Sequence, residues 1–181
     1  MAVGKLDYTV HNYMEDIVAE LIAQRQMEDT DFEFCERCLM DISAIMLNAL
    51  EPQYVKVKAK LAELDEAAVA NLNRLLDEAA RQVKANPHHG RDDNGGYHLE
   101  NFSERMVKQV LEEFLANLSE IELEPDMIPL VAAMVLNQTK PRYAVTTRGG
   151  AYKSLAQLDH QFIPVTISCI YNVIRQLKDM N

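Results

Sequence analysis

The stretch Asn12-Tyr13-Met14-Glu15-Asp16-Ile17-Val18 returns as Asn101-Phe102-Ser103-Glu104-Arg105-Met106-Val107, and that return decides the fold. Further along, Ala44-x-x-Leu47-Asn48-x-x-x-Pro52-x-Tyr54 returns as Ala133-x-x-Leu136-Asn137-x-x-x-Pro141-x-Tyr143 at the same offset of 89 residues. Leu61-Ala62-x-Leu64-Asp65 then returns as Leu155-Ala156-x-Leu158-Asp159, and Arg81-Gln82-x-Lys84 as Arg175-Gln176-x-Lys178. This second block has an offset of 94, so five residues are inserted between the blocks. Solenoid units run about 20–50 residues, and these repeats are longer. The chain therefore divides into two domains, repeat 1 over 8–86 and repeat 2 over 98–181, joined by a linker at 87–97. Related domains in one chain tend to pack as a homodimer does, around a pseudo-twofold axis. A site on that axis is built from two similar but unequal halves.

Apolar periodicity places the elements. Tyr13, Ile17, Val18, Leu21 and Ile22 share one helical face, as do Phe102, Met106, Val107, Val110, Leu111 and Phe114. A second helix is predicted from about Leu39 to Leu50, closed by Pro52, and its counterpart from about Met127 to Gln138, closed by Pro141. Pro129 falls in the first turn of that counterpart, where a missing N–H is harmless. Asp65 is the expected N-cap of a third helix, about Glu66 to Lys84, and Asp159 plays that part in repeat 2. Pro164, five residues past Asp159, predicts a late start or a kink there. Residues 143–152 of repeat 2 carry β-branched residues before Gly149-Gly150 and predict a short extended segment or hairpin. Pro87 to Gly96, with three glycines and no apolar residue, reads as a flexible linker. The expected fold is all-α: two tandem small helical domains forming a pseudo-twofold bundle.

Composition narrows the function. The 181 residues are 48% hydrophobic and 25% charged, an ordinary globular balance. A formal net charge of −10 argues against general binding to nucleic acid or to anionic lipid, both of which need a basic face. There is no signal-peptide pattern and no apolar run of membrane-span length, so a cytoplasmic protein is expected. In that compartment three cysteines are thiols or metal ligands before they are disulfides. Neither a Gly-rich phosphate loop nor a Ser-His-Asp set nor a His-x-x-x-His spacing is present, so no enzyme is expected.

The ordered set Asn-Tyr-Met-Glu-x-Ile-Val, Cys-x-x-Cys-x-x-Asp-Ile, Ala-x-x-Leu-Asn, Pro-x-Tyr and Val-Lys-x-Asn-Pro-His-His resembles the ComFB family of late competence development proteins. The resemblance covers about 8–89 and, more weakly at its front, about 98–181. It implies a small helical domain that self-associates as a homodimer. It also implies, for some members, a receptor for cyclic dinucleotides or a zinc ion on the cysteine motif. Two departures mark this chain. The basic residue usual after Leu-Asn is Ala49 in repeat 1 and Gln138 in repeat 2, and the cysteine positions of repeat 2 hold Glu124 and Met127.

Several residues carry two readings each. Cys35 and Cys38 are spaced as half of a zinc site, which needs four ligands; Glu33, Asp41, His88, His89 or a second chain are candidates to complete it. The same pair also reads as a redox dithiol or as plain thiols, and Cys169 as a core residue. Asn48 and Asn137 read as caps or as side chains that fix the proline turn. Tyr54 and Tyr143 read as core anchors with a wet hydroxyl, or as stacking platforms for a ligand base. Lys140, Arg142, Arg148 and Lys153 make an acid-free basic window that also holds Thr146 and Thr147, with Lys56 at the matching place in repeat 1. Cations, hydroxyls and glycine amides are what a phosphate needs. The candidate ligand site is thus Lys140, Arg142, Tyr143, Thr146, Thr147, Arg148, Tyr54 and Lys56. The leading expectation is a non-catalytic regulatory module that binds cyclic di-GMP or cyclic di-AMP or contacts a protein partner. The alternative is an interaction module with structural zinc at Cys35 and Cys38.

Overall fold

The computed structural model describes residues 6–54, 61–88, 96–117, 123–147 and 159–179. Repeat 1 supplies α1 (Tyr13–Glu28), α2 (Glu36–Ala49) and α3 (Glu66–Ala85), with a short 3₁₀ turn at Leu61–Glu63. Repeat 2 supplies β1 (Tyr97–Asn101), α4 (Phe102–Asn117), α5 (Met127–Asn137), β2 (Tyr143–Thr147) and α6 (Asp159–Asp179). Among the described residues the regular structure is helical apart from the β1–β2 ribbon, as the periodicity predicts. No helix among the described residues is long and apolar enough to cross a membrane.

Local chemistry sets the helix ends. Asn12 caps α1, its Oδ1 accepting from the Met14 amide at 3.2 Å. Asp65 caps α3 as expected, accepting from the Ala68 amide at 2.7 Å. α2 begins earlier than its apolar face suggests: Cys35 takes the N-cap position, without a side-chain capping bond, and the first turn is polar. The late start predicted at Pro164 does not occur. α6 runs from Asp159 straight through Pro164, which sits in its second turn and leaves one carbonyl of the first turn without its helical donor.

Each repeat packs its three helices around a separate core. The first is built on Ile17, Val18, Ile42, Met46, Leu47 and Leu76; the second on Val107, Leu111, Val131, Val135, Leu136 and Ile170. Arg25 of α1 ties the first core's outer edge to α3, reaching Asp77 at 2.6 Å and Asn73 at 2.9 Å.

The ribbon bears out the short extended segment expected within residues 143–152. Its extended part is Tyr143–Thr147, and its partner is β1, antiparallel, with Tyr97 opposite Thr147 and Asn101 opposite Tyr143. The predicted Gly149-Gly150 turn lies outside the described residues. β1 itself was hidden in the sequence, because it starts in what reads as linker and carries little β-branched character. Both strands belong to repeat 2, yet β2 packs on α2 of repeat 1, and Leu99 and Val145 lie against the first core.

That crossing is part of a wider exchange. Tyr143 of repeat 2 is buried in the core of repeat 1, and Tyr54 of repeat 1 is buried in the core of repeat 2. Neither core is complete without a side chain from the other copy. Removing a buried aromatic ring costs roughly 3–5 kcal/mol. Tyr143→Ala is therefore expected to loosen the repeat it does not belong to. Hydrogen exchange should accelerate in α1 and α2 more than in α5; the reverse pattern would mean that each copy's core stands by itself.

Candidate functional site at the pseudo-twofold axis

The residues that the two copies share meet where the copies meet. Asn12 accepts at Oδ1 from the Met14 amide and from the Gln53 amide, at 3.2 and 2.9 Å, while its Nδ2 donates to the Tyr143 hydroxyl at 2.9 Å. Asn101 repeats every part. Its Oδ1 accepts from the Ser103 and Arg142 amides at 3.1 and 3.0 Å, and its Nδ2 donates to the Tyr54 hydroxyl at 2.9 Å. One carboxamide thus starts a helix, holds the proline turn of its own copy and grips the tyrosine of the other.

The tyrosine hydroxyls then donate to carboxylates, Tyr143 to Glu15 and Tyr54 to Glu104, each at 2.6 Å. Asn48 accepts from the Tyr143 amide at 2.6 Å and donates to the Tyr143 carbonyl at 2.8 Å; Asn137 accepts from the Tyr54 amide at 2.7 Å. Asn48 and Asn137 therefore do more than close their own turns. They pair with the partner copy's backbone as a neighbouring strand would, which a reading confined to one repeat cannot see.

Burial gives this network its electrostatic character. Both tyrosine hydroxyls are pushed far above their ordinary range, first by desolvation, then by the neighbouring Glu104 charge at Tyr54 and by the Glu15 hydrogen bond at Tyr143. They remain neutral donors. Burial also raises the Glu104 carboxyl above its ordinary 4.5; the Tyr54 hydrogen bond opposes this rise and the Glu15 charge adds to it.

Two clefts flank Asn48. The axial cleft, about 390 Å³, is lined by residues 48–52 and 137–141, the proline turns of the two copies, so each lining residue has its counterpart from the other copy. Lys140 is the counterpart of Glu51 in that set. Ala49 and Gln138, where the basic residue after Leu-Asn is missing, both fall here. The side cleft, about 450 Å³, opens between α2, the end of α3 and β2.

With this geometry in view, comparison with known proteins gives one result. The family model for late competence development protein ComFB matches residues 11–87 and 100–179. The chain belongs to the ComFB family, in two tandem copies. No curated protein and no solved structure gives a match.

The residues singled out by sequence fall into three groups. Tyr54 and Tyr143, 6% and 5% exposed, are core anchors; the stacking role is corrected, because their rings are enclosed and their hydroxyls are committed to carboxylates. Lys140 lines the axial cleft, and its carbonyl accepts from the Ser103 hydroxyl at 2.9 Å. Arg142 lies with its guanidinium 5.3 Å from the centre of the Phe162 ring, its Nη1 buried without a hydrogen-bond partner among the described residues. Thr146 Oγ1 is 3.1 Å from His98 Nε2 across the ribbon, and Thr147 pairs with Tyr97 at its end. Lys56, Arg148, Lys153 and His89 lie outside the described residues.

The cysteines do not assemble a metal centre on their own. Cys35 is exposed at the start of α2 and Cys38 is buried, its thiol pushed up to about 11, chiefly by desolvation. Among the described residues no group of three or more His, Cys, Asp or Glu is placed to hold a metal ion. Of the candidate completing groups, Asp41 is taken by Arg37 at 3.3 Å and has His88 at 3.6 Å. Two thiols do not fit a tetrahedral zinc. Cys169 is partly buried against the second core, as expected, and desolvation raises its thiol.

The raised Glu104 carboxyl has a pH signature. A carboxyl whose folded value is raised keeps its proton in the native state after the unfolded chain has lost it. Its contribution is complete below the unfolded value and is lost as pH rises through the folded one. Wild-type stability is thus expected to fall, relative to Glu104→Gln, as pH climbs above the ordinary carboxylate range of about 4. Urea midpoints measured at several pH values check this; parallel curves would show that Glu104 ionises as freely folded as unfolded.

Proposed function

We propose that this ComFB protein is a non-catalytic regulatory module that binds one cyclic dinucleotide per chain in the axial cleft. The observation that carries the reading is the symmetry of that cleft: residues 48–52 of repeat 1 and 137–141 of repeat 2 line it in matching pairs. A cyclic dinucleotide has two phosphates related by near-twofold symmetry, and a pseudo-twofold cleft offers each half a similar wall. The walls are unequal in charge, with Lys140 on one side and Glu51 on the other. Lys140 takes one phosphate.

The non-catalytic reading is supported by the role of two carboxylates between the copies. Glu15 and Glu104 each accept from a tyrosine hydroxyl of the other copy, and those hydroxyls stay neutral. These two are parts of the packing between copies.

Isothermal titration with cyclic di-GMP and cyclic di-AMP tests the proposal. One molecule per chain is expected, with affinity reduced about tenfold or more by Lys140→Ala, the loss of one charge-assisted phosphate contact. No heat, or an affinity unchanged in that variant, would sink the axial reading.

A further inference from the structure

β2 has one edge on β1 and one edge on the side cleft. Antiparallel partners alternate between residues that exchange both backbone bonds and residues whose N–H and C=O point outward. Asn48 shows the phase of that alternation on β2. Its carboxamide accepts from the Tyr143 amide at 2.6 Å and donates to the Tyr143 carbonyl at 2.8 Å, so both Tyr143 groups point away from β1. The Arg142 carbonyl, one residue earlier, points the other way and accepts from the Phe102 amide at 3.0 Å. Counting on by twos from Tyr143, the N–H and C=O of Val145 and Thr147 share the outward edge. Among the described residues no backbone group bonds them there.

Strand edges are usually blunted by a charge, a proline or a bulge. β2 carries none of these: it reads Tyr-Ala-Val-Thr-Thr and pairs with β1 residue for residue. Its outward edge borders the side cleft, which Tyr143, Ala144 and Val145 line together with Ile45 of α2 and Val83 near the end of α3. The charged side chains that α2 brings there, Arg37 and Asp41, are paired with each other at 3.3 Å. What the cleft offers an occupant is therefore backbone polarity along β2 and apolar surface beside it.

We infer that the side cleft docks an extended, uncharged peptide segment of a partner protein, which adds to β2 as a third strand, exchanges both backbone bonds with Val145 and lays an aliphatic side chain against Ile45 and Val83. In strand addition the main-chain bonds supply affinity and the side-chain pockets supply specificity. An amide is the group that fits this edge, because the Asn48 carboxamide already holds the preceding station, Tyr143, by the same pair of bonds. That side chain also fixes where the added strand begins. The end of α3 borders the cleft, which at about 450 Å³ has width for one chain rather than for a second copy's ribbon with its own α2 behind it. The site is separate from the axial cleft, and the inference stands whether or not that cleft takes a dinucleotide.

The test is amide-detected NMR on the full chain, titrated with the capped peptide Ac-Ser-Thr-Val-Thr-Val-Ser-NH2 and with the same peptide N-methylated at its central residues. With the first peptide, saturable shifts of the Val145 and Thr147 amides and slower hydrogen exchange at Val145 are expected; the methylated peptide should produce neither. Val145→Pro removes an N–H that points away from β1, a position where an edge strand accepts proline. It should weaken the peptide about fivefold or more, the loss of one backbone bond. Should that variant fail to fold, the methylated comparison on the wild type decides. No saturable change at Val145, equal binding of the methylated peptide, or full binding by the folded proline variant would each overturn the assignment. So would protection of the Val145 amide that rises with protein concentration in the absence of peptide, since a second copy would then be the occupant.

Discussion

The structure depends on two tyrosines that leave their own repeats. Tyr54 and Tyr143 follow the proline turns, cross the axis and enter the opposite cores. A phenol buried in an apolar core needs a partner for its hydroxyl. The other copy provides two: an asparagine donor and a glutamate acceptor from the start of α1 or α4. A hydrogen bond to a charged group contributes about 1.5–3 kcal/mol, and an unsatisfied buried group costs a comparable amount. The exchange is therefore favourable only when both copies are in register. That requirement fixes where the helices start, where the prolines end them and how the ribbon lies.

Fusion of the two copies relaxes one constraint that a true homodimer obeys. In a twofold interface every substitution appears twice; in a single chain the halves are free to diverge. The tyrosine–asparagine–glutamate set is kept in both, because each half needs it from the other. Around it the copies differ. Lys140 stands where repeat 1 has Glu51, and Arg37 and Asp41 have no equivalents in repeat 2. Features needed twice persist, and features used once sit on one side only.

Much of this was legible before any coordinates. Helix positions followed from apolar spacing, since a helix that packs one face must repeat that face every turn. Asp65 announced the start of α3 because a cap acts on the next few residues. The tyrosines read correctly as anchors, but their hosts did not: nothing in Pro-x-Tyr says which core receives the ring. Asn48 and Asn137 read as local turn-formers, whereas their partners lie 95 and 83 residues away. β1 and the side cleft left no mark in the sequence.

The amino-acid sequence alone determined the family, the duplication, the helical class and the Asp65 cap, because these rest on composition, periodicity and contacts a few residues long. The tertiary structure alone decided which core receives each tyrosine ring, which strand pairs with which and where the two clefts open. Those outcomes depend on burial and on distances between residues far apart in the chain. One-dimensional spacing carries no record of either.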